Sequence, residues 1–337
     1  MDVPDLAAVL AEHGLAGVTE EPMRHDGWSG AQLTRLTRSD GTSFVLKRDS
    51  LARDWIARVT GDVPDLREAR LVAAAPDLPH PVRLPHLGVG RDGAEVALLM
   101  PDLAGSLLRW EAPVDGSQLD QVLATLAALH AAPWHRALPA DFPWTDLRRR
   151  VLLLTRRAAL EYEAAGNPVG ERFRLGWEAF DRRAPRDARW LIDHLTDDPA
   201  PLLTALAGRP NAGLHGDLKL GNVALLDDGT VLLIDWQMTL VAPVAVELGW
   251  FLVCNVADLP LDPDEVLDRY RRAAGRPADQ EWAADRDLAI LVGLLLRGWR
   301  KGLDAEAGVT TAGGWPAADD LAWWSGQAVA AASRRLA

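Results

Sequence analysis

The period of apolar and polar positions changes near residue 103. Before it, short alternating runs are punctuated by turn residues: Gln32 to Thr37 and Ser43 to Lys47 flank Ser39-Asp40-Gly41-Thr42, and this spacing predicts a hairpin because Asp-Gly tolerates positive φ. Glu95 to Met100, after the turn Arg91-Asp92-Gly93 and closed by Pro101, predicts another strand. Between them a helix is expected over Pro64 to Ala75, with Pro64 in its first turn and Pro76 ending it. Beyond residue 103 the period is mostly helical, as in Leu119 to His130 and in several segments between 144 and 207. The expected fold class is α+β with two lobes. A small N-terminal antiparallel sheet lobe spans residues 1–103, a larger and mainly helical C-terminal lobe spans 104–337, and a hinge joins them.

The apolar run Leu288 to Leu296 is broken by Arg297 and too short to cross a bilayer, so it reads as a buried helix. The N-terminal MDVPDLAAVLAEHG carries acids where a secretory signal needs a basic start, and its apolar spacing is helical. The single cysteine, Cys254, excludes an intramolecular disulfide and a cysteine-rich zinc site. A cytoplasmic location is expected. With 36 basic and 48 acidic residues the net charge of −12 repels polyanions, so nucleic acid is not expected, and the acidic surface either favours cationic ligands or only keeps the protein soluble; neither membrane nor an obligate protein partner is expected. Arg148-Arg149-Arg150 with Arg156-Arg157 reads as a solvated helix face, and His80 and His86 as loop residues without metal-ligand spacing.

Chemistry concentrates between Leu214 and Trp236, LHGDLKLGNVALLDDGTVLLIDW, where two strand-type runs flank Asp227-Asp228-Gly229-Thr230. With Asp228-Gly229 as a two-residue loop, paired positions sum to 457, so Asp227 faces Thr230 and Asn222 faces Asp235. Their side chains would then lie roughly 5 Å apart on one face and share a hard cation, for which magnesium is suited. Asp217, five positions before Asn222, can hold a carboxylate above a metal-bound phosphate and receive a hydroxyl proton, and Lys219 can reach the transferring group. His215 beside Gly216 reads as a loop-fixing residue.

His215-Gly216-Asp217, then Asn222, then Ile234-Asp235-Trp236 resembles the catalytic signature of the aminoglycoside-phosphotransferase and choline-kinase-like family, which shares the protein-kinase fold. The resemblance implies Asp217 as catalytic aspartate and Asn222 and Asp235 as Mg2+ ligands, with ATP or GTP as phosphoryl donor. Glu247-Leu248-Gly249-Trp250 resembles the following helix start, with Glu247 in a structural role where the family usually has aspartate. In the first lobe Lys47, in FVLK, fits the lysine on the α- and β-phosphates, and Glu68 its orienting partner, with Asp65 as rival. The turn His25-Asp26-Gly27-Trp28-Ser29-Gly30 stands where the family places its phosphate-covering loop, with Ser29 offering a hydroxyl. Met100-Pro101-Asp102-Leu103 resembles the connector that meets the purine. Pro101 donates nothing, so the Leu103 amide is the candidate, and Met100 either lines the site or packs.

The activity implied is Mg-dependent transfer of a γ-phosphoryl group to a small-molecule hydroxyl, on an aminoglycoside or on an amino alcohol, sugar or nucleoside. A non-catalytic nucleotide-binding module is the alternative, which the presence of Lys47, Asp217, Asn222 and Asp235 together disfavours. A protein kinase fits less well, since HGD and IDW replace HRD and DFG and no APE follows Trp236. Trp144, Trp177, Trp190, Trp282 and Trp299 either line an acceptor cleft or pack the core, and Glu281, Asp285 and Asp287 either meet an amino sugar or lie on a solvated helix.

Overall fold

Asp5 starts the first helix, α1 (Leu6–Glu12), by accepting from the Ala7 amide. Leu6 and Val9 of α1 then close an apolar cluster with Leu36, Phe44, Leu46, Ala97 and Leu99, residues that alternate along three strands and so share one sheet face. The computed structural model describes residues 3–24, 27–109, 112, 114–259 and 261–336. Its first sheet contains β1 (Glu20–Pro22), β2 (Gln32–Thr37), β3 (Ser43–Asp49), β5 (Gly88–Asp92) and β6 (Glu95–Pro101) in the order β1-β2-β3-β6-β5, every neighbour antiparallel. The short β4 (Val82–Arg83) leaves this sheet to pair in parallel with Val231 and Leu232 of the second lobe.

The lobe's helices depart from the expectation. The chain makes α2 (Trp55–Thr60), which the alternation did not reveal, capped by Asp54 through the Ala57 amide. The next helix, α3 (Arg67–Ala74), starts three residues after Pro64. Leu66 sits at φ 56°, which breaks the helix on its N-terminal side, and the Asp62 carboxylate accepts from Val63 and Arg67 to restart it.

The larger lobe begins with α4 (Gly116–Ala131), whose Asp115 and Gln118 form a reciprocal capping box. It continues through α5 (Leu147–Leu152), α6 (Arg156–Ala164), α7 (Pro168–Arg183), α8 (Arg186–Asp197) and α9 (Ala200–Ala207). Three short sheet segments follow, β7 (Asn211–Leu214) and the hairpin β8 (Val223–Leu225) with β9 (Val231–Leu233), then β10 (Leu240–Pro243), which pairs with β7. The remainder is α10 (Val244–Asn255), α11 (Pro263–Ala273), α12 (Gln280–Ala307) and α13 (Ala317–Arg335). The run Leu288 to Leu296 lies buried in α12, packed by α7, α10 and α13, each large side chain contributing about 1.5–3 kcal/mol. Close approach of α7 and α12 depends on Gly302, where a Cβ would fall 2.4 Å from the Phe180 nitrogen. No helix among the described residues is long and apolar enough to cross a membrane.

The β8–β9 hairpin corrects the expected register. Val223 pairs with Leu233 and Leu225 with Val231, so opposed positions sum to 456 and not 457. The loop holds Asp227, Asp228 and Gly229: Leu226 exchanges backbone bonds with Thr230 and Gly229, and Gly229 sits at φ 84°. A three-residue turn with glycine in the left-handed position matches the strand twist as well as the two-residue form does. Asn222 therefore faces Ile234, whose amide donates to the Asn222 carbonyl, and Asp235 lies one residue past the ladder.

Candidate functional site

Backbone geometry fixes the loop after β7. Gly216 has φ 86°, and a Cβ there would lie 1.9 Å from the Met238 carbonyl oxygen, so no side chain fits. The buried Glu247 at the start of α10 accepts from the His215 amide (3.1 Å) and the Gly216 amide (2.6 Å), and meets His130 Nε2 at 2.9 Å, with Tyr270 Oη on the other ring nitrogen at 2.8 Å. His215 Nδ1 accepts from the Asp217 amide at 3.2 Å, which puts its proton on Nε2, 2.9 Å from the Ile234 carbonyl. Both ring nitrogens are thus engaged in holding the loop.

Arg150 overturns one expectation. Instead of lying on a solvated face, its fully buried guanidinium donates twice to the Gly216 carbonyl, at 3.0 and 2.8 Å, and sits 4.7 Å over the Trp250 ring. The adjacent arginines of the run gave the appearance of a charged surface, whereas a helix only six residues long points one of them into the core.

Asp217, itself buried, has its two oxygens engaged differently. Oδ1 accepts from Trp250 Nε1 at 2.8 Å, while Oδ2 meets Lys219 Nζ at 3.1 Å. Asn222 donates its amide to the Asp217 carbonyl at 2.9 Å. Burial works against the Lys219 ammonium, but the Asp217 and Asp235 carboxylates outweigh it and hold its pKa above the ordinary value.

From the first lobe, Lys47 Nζ reaches Glu68 at 2.6 Å and Asp235 at 2.8 Å. Asp65 instead pairs with Arg91. Asp235 sits at φ 68°, a conformation costing about 1–2 kcal/mol for a residue with a Cβ, and this turn directs its carboxylate to the lysine. Burial would raise the Asp235 pKa, yet Lys47 and Lys219 bring it down to about 2, so the group is ionised. Burial would lower the Lys47 pKa, but the Asp235 and Glu68 carboxylates hold it well above its usual value. Helix α3 is secured across the lobes, since Glu68 accepts from the Trp236 amide and the buried Arg67 donates to the Pro143 and Gln237 carbonyls. His86 is no ordinary loop residue: its side chain is fully buried 3.9 Å from Glu68, and burial lowers its pKa to about 4.

His25 and Asp26 of the expected phosphate loop lie outside the described residues. Ser29 is buried, its hydroxyl accepting from the Ala31 amide at 3.3 Å and its carbonyl from Trp55. Trp28 reaches the helical lobe, 5.6 Å from Phe173 and 6.0 Å from Trp299, ring centre to ring centre. Met100 is buried on β6 opposite Val45. Leu103 packs with Ala224 and Leu232, and its carbonyl accepts from Ser106 and Leu107.

The acids expected to meet an amino sugar are committed elsewhere. Asp285 pairs with Arg209 and Arg276, Glu281 with Arg209, and Asp287 with Arg334 and Arg335, all on the N-terminal half of α12. Trp177 and Trp282 are core residues, Trp144 packs on Phe142, and Trp190 stacks on His194 at the exposed face of α8. Of the expected tryptophans only Trp299 adjoins the loop of Trp28. Trp250, which touches Asp217, was read in the sequence as part of a helix start. Nothing in its spacing announces an indole hydrogen bond across 33 residues.

Asn222 and Asp235 are two hard oxygen donors, one ionised, and the Asn222 amide nitrogen is turned to Asp217, which leaves its carbonyl oxygen free for a cation. This donor set fits a magnesium ion completed by phosphate and water.

Residues 24–288 match the model of a family described as phosphotransferase enzymes. None of the curated proteins matches the chain in sequence. Among solved structures, an amicoumacin kinase in complex with AMP-PNP, Ca2+ and Ami is 13% identical and superposes with TM-score 0.52 over 97% of this chain and 93% of that one. A macrolide 2'-phosphotransferase from Brachybacterium faecium is 19% identical, with TM-score 0.50 over 97% of each chain. An aminoglycoside phosphotransferase from Streptomyces rimosus is 18% identical, with TM-score 0.50 over 84% of this chain and 96% of that one. At these identities the likeness is one of fold.

Proposed function

The chain belongs to the phosphotransferase enzyme family, and from that premise we propose that it transfers the γ-phosphoryl group of ATP or GTP to a hydroxyl of a small molecule. The observation that carries this reading is the convergence of Lys47, Asp235, Asn222, Asp217 and Lys219 from separate segments of both lobes. AMP-PNP in the amicoumacin kinase of similar fold supports a nucleoside triphosphate as donor.

In this reading the nucleotide lies in the cleft between lobes 1–103 and 104–337, its purine edge at the Leu103 amide beside Met100. Its α- and β-phosphates lie on Lys47, which Glu68 orients, and Ser29 belongs to the loop above them, its hydroxyl oxygen accepting from the Ala31 amide and keeping its own proton to donate. Asn222 and Asp235 would hold Mg2+, which supplies charge neutralisation on the phosphate oxygens. The acceptor oxygen attacks the γ-phosphorus, the bond to the β-phosphate oxygen breaks, and the hydroxyl proton passes to Asp217. Trp250 and Lys219 hold that carboxylate in place, and Lys219 lies close enough to both aspartates to offset charge on the transferring group.

The test is a coupled assay for nucleoside diphosphate release with Mg2+ and ATP or GTP against amino alcohols, sugars, nucleosides and aminoglycosides. Asp217→Ala is expected to abolish acceptor-dependent release while nucleotide still binds. Equal turnover by wild type and Asp217→Ala would refute the role of Asp217, and failure of the wild type to bind nucleotide would refute the kinase reading.

A further inference from the structure

The two oxygens of Asp217 look toward different surroundings. Oδ2 faces Lys219 and, through it, Asp235 and the cleft that holds Lys47. Oδ1 faces Trp250, and beyond that indole the charges are basic. Arg297 of α12 lies 5.9 Å over the Trp250 ring and donates to the buried Cys254 sulfur at 3.0 Å. Arg300 is one turn further along the same helix, and Arg172 of α7 stands within the electrostatic field of both. The Arg172 guanidinium covers the Trp28 ring at 4.8 Å, and Trp28 lies against Trp299, between Arg297 and Arg300 in sequence.

The acids near this cluster do not satisfy it. Asp304 holds Arg300 at 2.9 and 3.0 Å, and Lys301 is paired with Asp320 at 2.6 Å. Asp258 feels Arg297, Arg300 and Lys301 from the turn after α10. Among the described residues neither Arg172 nor Arg297 has a carboxylate within ion-pair distance, in a chain whose net charge is −12. Arg172 is exposed on α7; partial desolvation and then the nearby Arg300 and Arg297 disfavour its cation, repulsion that an anionic ligand would relieve. Paired guanidinium groups are the donors that match carboxylate and phosphate oxygens two at a time.

We propose that Arg172 and Arg297 bind an oxyanion carried by the acceptor, so that the substrate is a hydroxyl compound bearing a carboxylate or phosphate-type group and not a polycationic amino sugar. The inference rests on the phosphotransfer reading above. It places the anion beside Trp28, where the loop from the first lobe meets the helical lobe.

Wild type and the double variant Arg172→Met/Arg297→Met, each loaded with Mg2+ and AMP-PNP, would be titrated at fixed ionic strength with inorganic phosphate, with glycerate and with a polycationic amino sugar, following tryptophan fluorescence. The expected result is saturable binding of phosphate or glycerate to the wild type, weakened at least about tenfold in the double variant and partly restored by Arg297→Lys. The anion that binds distinguishes phosphate-bearing from carboxylate-bearing acceptors. AMP-PNP binding by the variant shows that it is folded. Equal anion binding by the two proteins, no anion binding by either, or tighter binding of the amino sugar to the wild type would overturn the inference. Loss of AMP-PNP affinity in a variant with wild-type thermal stability would assign the arginines to the nucleotide and overturn it too. A wild type that binds no AMP-PNP refutes the phosphotransfer reading itself, and this inference with it.

Discussion

Replacing Glu247 by glutamine probes how the loop carrying Asp217 is held. Three groups, the His215 and Gly216 amides and His130 Nε2, converge on two carboxylate oxygens at 3.1, 2.6 and 2.9 Å, and the side chain has no exposure through which water could substitute. A glutamine keeps one acceptor and turns an NH2 toward at least one of those groups. The loss is one or two charge-assisted hydrogen bonds at about 1.5–3 kcal/mol each, so about 3 kcal/mol in all. For a chain of 337 residues that is a fall in Tm of about 4 °C.

The pH dependence separates this account from generic destabilisation. Burial raises the Glu247 pKa, but His130 and the Gly216 amide outweigh it and leave it below the ordinary value. A carboxylate with a depressed folded pKa contributes stability that is full above its unfolded pKa, about 4.3, and is lost as the pH falls through the folded value. The gap between wild type and Glu247→Gln is therefore full at pH 7 and narrows below about pH 4. Thermal unfolding across that range, with kcat at pH 7 expected to drop about tenfold or more as the loop shifts, is the assay. A Tm change under about 1 °C at pH 7, or a gap that persists unchanged in acid, would refute the reasoning.

Lys47→Met leaves Glu68 and Asp235 facing each other without their shared cation, and the KM for nucleotide is expected to rise by about tenfold or more in steady-state kinetics; an unchanged KM would remove the lysine from the phosphate site. Gly216→Ala places a Cβ against the Met238 carbonyl at positive φ and is expected to cost more than about 3 kcal/mol in urea unfolding, whereas wild-type stability would show that the loop accommodates a side chain. Asp54, buried beside Asp49, has its pKa pushed up to about 7. A raised carboxyl pKa means the folded protein holds the proton more tightly, so this residue's contribution to stability declines as the pH rises from about 4 through 7. Asp54→Asn keeps an oxygen for the Ala57 amide and is expected to stabilise the protein above pH 7, by up to about 4 kcal/mol, but not at pH 4. Melting curves showing no pH-dependent gain would count against burial as the cause.

Local pattern by itself determined the α+β composition, the strands Gln32–Thr37 and Glu95–Pro101 to within a residue, and the clustering of His215-Gly216-Asp217, Asn222 and Asp235 within 21 positions. These follow from periodicity and turn chemistry, which act between near neighbours. Tertiary structure decided what depends on distant partners. The hairpin's one-residue shift turned on whether two or three residues closed its loop, a choice Asp227-Asp228-Gly229 allows either way. Leu66 at positive φ delayed α3 because Asp62, not Pro64, supplied its start. Arg150 became the support of Gly216, and Trp250 the donor to Asp217, only once α5 and α10 packed around the loop. Glu281, Asp285 and Asp287 carried the same negative charge in the sequence as any acid on a substrate surface. Packing set Arg209, Arg276, Arg334 and Arg335 against them, because the fate of a charge is fixed by the neighbour the fold brings within a few ångströms, and that neighbour can lie anywhere along the chain.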